Sequence, residues 1–177
     1  RMDIVSQPNK VSRGDLVKSI LNCQSASEAL KLIQVLDGRN YNGFNLVFGT
    51  SKELYLAQGD GVVIVISEQE DGWLVVTNHG VGRAGDGYTA RRVKTILSSL
   101  TTPRSSFDDL EDLLCIHDDW RHGTCISEPE NNYGTKSSSI IRLAANNEWE
   151  YWHKERAETE KHICLDSFEE KLTLNLL

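Results

Sequence analysis

Three groups of side chains in this chain have the types and spacing that chemistry requires. Cys115, His117, His122 and Cys125 bring two thiols and two imidazoles into eleven residues, a donor set that zinc takes up. Their spacing matches no standard zinc knuckle, and Asp118 and Asp119 lie among them. The expected state is therefore metal-free, a helix end followed by a polar loop. Gly80-x-Gly82-x-x-Gly85 has the letter pattern of a dinucleotide-binding loop. Such a loop must open at once into a helix within a parallel strand–helix–strand unit. Here the helical pattern starts later, near Tyr88, which argues against a nucleotide. The third group is Tyr41-Asn42-Gly43-Phe44-Asn45-Leu46-Val47. Asn and Gly accept the left-handed turn conformation, and Phe-Asn-Leu-Val-Phe is extended and mostly apolar, so the segment reads as a turn entering a buried strand. Asn45 then places an amide in a core strand, where leaving it unpaired costs about 1–3 kcal/mol. It either ties strand to turn or presents its amide to a ligand or a reacting carbonyl.

The elements that must position these groups are legible in the periodicity. Residues 1–11 are polar, contain Pro8-Asn9 and read as a loop. Ser12 is a candidate N-cap for a helix over 12–23, with Asp15 in its first turn and Leu16, Val17, Ile20 and Leu21 on one apolar face. A second helix, expected over 25–37, starts near Ser25 or Ser27; Ser25-x-x-Glu28 has the form of a capping box, Ala29, Leu30, Ile33 and Leu36 follow at helical spacing, and Gly38 stops the run. Strands follow over 44–49, 53–58, 62–68 and 72–78, separated by Gly and Asp turns that favour antiparallel hairpins. Val62-Val63-Ile64-Val65-Ile66 lacks alternation, which predicts cover on both faces. A glycine-rich loop leads to a helix over 88–100, with Ala90, Val93, Ile96 and Leu97 inward. Ser105 or Ser106 caps another over 107–116, with Leu110, Leu113 and Leu114 apolar. Tyr133 to Ser139 reads as a polar turn entering a strand at 140–143. Asn146-Asn147 reads as a turn, 148–153 as the partner strand, 154–162 as a charged surface turn, and the tail from Phe168 as a final strand. Helices and strands come in blocks. The expected fold is α+β, antiparallel sheet between helix layers, with helices 12–23 and 25–37 on one face and 88–100 and 107–116 on the other or at its edge.

A length of 177 residues suffices for one domain with a sizeable core. The formal net charge of −7 argues against a nucleic-acid binder, which would show a basic face. No apolar run approaches the roughly 18 residues of a membrane span, and no signal peptide precedes the first polar stretch. Cys23, Cys115, Cys125 and Cys164 are widely spread without a CxxC, which predicts free thiols in a reducing, cytoplasmic setting. Cys23 reads as a small core residue. The opening Arg1-Met2 predicts further residues upstream.

In order and spacing, Ser12-Arg13-Gly14-Asp15-Leu16-Val17, Tyr41-Asn42-Gly43-Phe44-Asn45-Leu46, Val75-Val76-Thr77-Asn78 and Tyr133-Gly134-Thr135-Lys136-Ser137-Ser138 resemble the NRDE family, the transport and Golgi organisation protein 2 family. The resemblance covers nearly the whole chain and implies one domain over 1–177. That family is similar to the N-terminal-nucleophile hydrolases, which are αββα sandwiches. In those enzymes a residue exposed as the new N-terminus, often Cys, attacks an amide; its own α-amine is the base and neighbouring amides stabilise the oxyanion. The resemblance implies that Asn78, ending a strand, sits by the nucleophile as an oxyanion donor; the alternative is an Asn78 that caps the turn before Gly80. Lys136, at the Gly-Thr-Arg position of many relatives, would be the cation by the thiol, with Arg142 the alternative. Lysine keeps the charge but loses the bidentate fork of arginine. Asn42, Asn45, His79 and Arg142 complete the candidate binding set. The family's opening Cys and its Asn-Arg-Asp-Glu motif are absent, so the chain corresponds to the C-terminal two-thirds of such a protein, with the fold incomplete at its N-terminus. The implied functions are an amidohydrolase of a small amide whose nucleophile lies outside this chain, a non-catalytic haem carrier with His79 as candidate axial ligand, or a scaffold that lost the chemistry. A sheet lacking its first strands is expected to take up an N-terminal companion fragment or to self-associate through its open edge.

Overall fold

The computed structural model describes residues 7–77, 80–83, 91–100, 107–116, 123–128, 133–143, 149–155 and 170–174. The chain divides into two compact units, Arg1–Gly72 with Val76–His79, and Trp73–Val75 with Gly80–Leu177. The fold is α+β, with four α-helices and antiparallel sheets among the described residues.

In the first unit, α1 (Arg13–Leu21) starts at Ser12, whose hydroxyl accepts from the Gly14 N–H at 3.2 Å. Its buried stripe is narrower than the sequence suggests. Leu16 is buried and Ile20 packs against the core, but Val17 and Leu21 are exposed, because each lies about 100° further round the helix. The next helix, α2 (Ala26–Gln34), is capped by Ser25, whose Oγ accepts from the Glu28 N–H at 3.1 Å. The Glu28 carboxylate reaches back one residue further than in a capping box, accepting from the Gln24 N–H at 2.7 Å. Ala26, Ala29 and Ile33 form the buried face of α2. A single 3-10 turn at Gly38–Asn40 separates it from the sheet.

That sheet is β1 (Phe44–Gly49), β2 (Leu54–Gly59) and β3 (Ile64–Gln69) in spatial order β1-β2-β3. The register pairs Phe44 with Gly59, Leu46 with Ala57 and Phe48 with Tyr55, so these six share one face. This is the face that α1 and α2 cover: Leu16, Ala29, Ile33, Tyr41, Phe44, Phe48 and Ala57 are one buried cluster. Tyr41 meets Phe44 edge-on at 6.0 Å, and Phe48 stacks on Tyr55 at 5.5 Å. The turn into β3 uses Gly61 at φ +91°, while the Asp60 carboxylate accepts from the Val62 and Val63 N–H groups. The expectation that Val62 to Ile66 is covered on both faces is wrong. Among the described strands β3 is an edge, and Val62, Val63 and Val65 are exposed while Ile64 and Ile66 turn to the core.

In the second unit, Val75 of β4 (Leu74–Thr77) packs with Val93 and Ile96 of α3 (Arg91–Ser99), flanked by Leu97, Leu100 and Leu113. The last two residues of β4 belong to the first unit. Gly80 and Gly82 lie in β5 (Gly80–Arg83), which pairs with β4. They are strand rather than phosphate-binding loop, which removes the dinucleotide pattern; Gly85 lies outside the described residues. After α4 (Phe107–Leu114), β6 (Ser127–Glu128) pairs with β7 (Tyr133–Gly134). The sheet β10-β9-β8 closes the chain, with β8 (Ser137–Leu143), β9 (Trp149–Glu155) and β10 (Glu170–Leu174) all antiparallel. The strand expected at 140–143 therefore starts three residues earlier, because Ser137 to Ser139 find ladder partners in Lys154, Glu155 and His153.

Candidate functional site

Two of the four sequence blocks singled out above meet in the first unit. The Arg13 guanidinium donates to the Gly43 carbonyl at 3.2 Å, and the Val11 N–H donates to the Asn40 carbonyl at 2.8 Å. Asn42 grips Gln7 at both ends: its Oδ1 accepts from the Gln7 N–H at 2.9 Å and its Nδ2 donates to the Gln7 carbonyl at 3.1 Å. The Ser-Arg-Gly and Tyr-Asn-Gly-Phe-Asn blocks thus staple the approach to α1 onto the turn before β1.

Asn45 faces away from the helix-covered core, beside its ladder partner Gln58. Its Oδ1 accepts from Gln58 Nε2 at 3.1 Å and its Nδ2 donates to the Thr77 carbonyl at 3.3 Å. The half-buried amide is therefore paired, as its burial demands, and it fastens the end of β4 to β1. Thr77 is the residue before Asn78, so the fastening is at the start of the segment that carries the candidate oxyanion donor. Gln58 has no signal in the sequence that sets it apart from other strand polar residues; only the register identifies it. Asn78 and His79 themselves lie outside the described residues.

The remaining candidates are in the second unit. Lys136 is exposed in the link between β7 and β8. Its neighbour Thr135 closes a clip, with Oγ1 accepting from the Ile126 N–H and its own N–H donating to the Ile126 carbonyl, both at 2.9 Å. Arg142 pairs with Glu150, opposite it on β9, and lies 5.4 Å from the centre of the Trp152 ring. Of the candidate set, then, Asn42 and Asn45 share one segment, while Lys136 immediately precedes β8 and Arg142 lies within it.

A cavity of about 380 Å³ lies between α1, the α1–α2 link and β1, lined by Ile20, Cys23, Ser25, Leu46 and Phe48 among others. None of the candidate residues lines it. Cys23 is half-buried and donates to the Ser19 carbonyl at 3.4 Å. Cys23, Cys115 and Cys125 are free thiols. Among the described residues no three His, Cys, Asp or Glu side chains converge to hold a metal, and His117 and His122 lie outside them. No helix among the described residues is long and apolar enough to cross a membrane.

One cluster escapes sequence reading. On β9, Tyr151, His153 and Glu155 alternate onto one face, and the register puts Ser139 of β8 opposite His153. Ser139 Oγ stands 2.8 Å from His153 Nδ1. The alternation is visible in the sequence; the serine opposite is not.

No curated protein and no solved structure matches this chain. The family model for Transport and Golgi organisation 2 matches residues 2–158, a span that includes Asn42, Asn45, Asn78, His79, Lys136 and Arg142. With that match over most of its length, this chain belongs to the Transport and Golgi organisation 2 family.

Proposed function

We propose that this chain is the larger part of an N-terminal-nucleophile-type αββα hydrolase domain that cleaves a small amide. The observation that carries the reading is the Asn45 hydrogen bond to the Thr77 carbonyl. An amide of the Tyr-Asn-Gly-Phe-Asn block holds the end of the strand that runs into Asn78. In such a mechanism the attacking thiol and its α-amine base come from a segment carrying the family's Cys, which residues 1–177 do not contain. The chain's own contribution is electrostatic: Asn78 donates to the oxyanion as the tetrahedral intermediate forms. Removing one oxyanion donor costs roughly 3–4 kcal/mol of barrier, or about 10²–10³ in kcat.

The experiment compares residues 1–177 with a protein restored by the family's Cys-bearing segment, using a panel of N-acyl amides. The restored protein is expected to turn over and the chain alone not to. Asn78→Ala in the restored protein should lower kcat by about 10²–10³. Robust turnover by residues 1–177 alone, or an Asn78→Ala variant of unchanged rate, would refute the assignment. Tight haemin binding with a Soret shift that Asn78→Ala leaves intact and His79→Ala abolishes, in a restored protein without amidase activity, would replace it with a carrier.

A further inference from the structure

The polar cluster on the β8–β9 face is independent of the amide-hydrolase reading. Ser139 is exposed, and its Oγ lies 2.8 Å from Nδ1 of the half-buried His153. On the other side of the imidazole, Nε2 lies 3.5 Å from Glu155 Oε1. A carboxylate there favours the tautomer with the proton on Nε2, which leaves the Nδ1 lone pair toward the serine. Tyr151 braces the ring: the two rings are nearly parallel, with centroids 5.8 Å apart and planes 13° apart. Its hydroxyl lies 3.1 Å from Nδ1 and 3.2 Å from Ser139 Oγ, so it can donate to the serine oxygen while the serine donates to the ring. All four side chains come from alternate positions of paired strands, with Ser139 directly opposite His153 and Ser137 opposite Glu155. A nucleophile in hydrogen-bond reach of a base, with the base oriented by a third group, is the arrangement that activates serine.

We propose that Ser139 is a nucleophile with His153 as its general base, and that small activated esters are the substrate class. Ser139 Oγ attacks the ester carbonyl carbon as its proton passes to His153 Nδ1. The carbon–oxygen bond to the leaving group breaks, and the alcohol departs with the proton from Nδ1. Water then attacks the acyl-serine, giving its proton to Nδ1, and the acid leaves as serine is restored. The exposure of Ser139 suits a small ester and gives no means of selecting a long one.

The test uses residues 1–177 and a biotinylated fluorophosphonate, which forms a phosphorus–oxygen bond to an activated serine and expels fluoride. The expected result is one adduct per chain, mapped to Ser139 by tandem mass spectrometry and absent in Ser139→Ala. His153→Gln should slow labelling by about 10²-fold, the lower range for a general base. In His153→Ala, added imidazole should restore part of the rate, a rescue that a merely structural histidine would not show. Circular dichroism of each variant separates loss of reactivity from loss of fold. No adduct on the parent chain, an adduct on another residue, an unchanged rate in His153→Gln, or no imidazole rescue in folded His153→Ala each overturns the proposal.

Discussion

Replacing Asn45 by Ala removes an amide that joins three strands, and the structure sets the size of the effect. Two of its hydrogen bonds disappear, the 3.1 Å bond from Gln58 and the 3.3 Å bond to the Thr77 carbonyl. Each is worth about 1 kcal/mol net, so Asn45→Ala should cost about 2 kcal/mol. For a domain of this size that lowers Tm by about 4–8 °C. Gln58→Ala loses only the shared bond and should cost about 1 kcal/mol. The double variant then loses the same two bonds as Asn45→Ala alone, and should cost about 2 rather than 3 kcal/mol, a coupling of about 1 kcal/mol between the two positions. Urea unfolding at matched m-values measures all three, and amide hydrogen exchange at Val76 and Thr77 reports whether the end of β4 loosens. Additive costs would show that the two amides do not interact. An Asn45→Ala variant within about 0.3 kcal/mol of the parent, below the net worth of even one hydrogen bond, would show that the amide does not hold β4 at all. In the first case the geometry is wrong; in the second the reading of the Tyr-Asn-Gly-Phe-Asn block as the anchor of the Asn78 segment fails.

Gly59→Ala should destabilise by about 1–3 kcal/mol through overpacking, because a Cβ there would stand 2.5 Å from the Phe44 ring. Chemical denaturation measures it, and Phe44→Leu combined with Gly59→Ala should recover part of the loss. Tyr55 donates to the Glu53 carboxylate at 3.0 Å, and that bond to the neutral phenol pushes its pKa above the usual value. The proton is held more tightly in the folded state, so this contribution is complete below about pH 10 and is lost as pH rises through the folded pKa. Tyr55→Phe keeps the stacking on Phe48 and should flatten the alkaline fall in stability seen in pH-dependent urea melts; an unchanged alkaline slope would contradict the assignment.

Local signals located the elements of this chain well. Ser12 and Ser25 advertise helix starts because a hydroxyl before an apolar periodic run satisfies otherwise unpaired N–H groups, and both hydroxyls do so in the structure. The Phe44 to Phe48 segment declares a strand by its residue types, and the resemblance carried by the Ser-Arg-Gly and Tyr-Asn-Gly-Phe-Asn blocks points to the family that the match over residues 2–158 establishes. What the sequence could not reveal was partnership. A run such as Val62 to Ile66 has the same letters whether one face or both are covered, and only the tertiary structure shows Val62, Val63 and Val65 exposed. Likewise Asn45 announces that its amide needs a partner but not which one. Gln58 lies 13 residues away and Thr77 lies 32 residues away, and long-range pairing of that kind is decided by register. Ser139 meets His153 for the same reason: alternation along β9 sorts its side chains by face, but which residue of β8 stands opposite depends on a ladder alignment that a single strand does not encode.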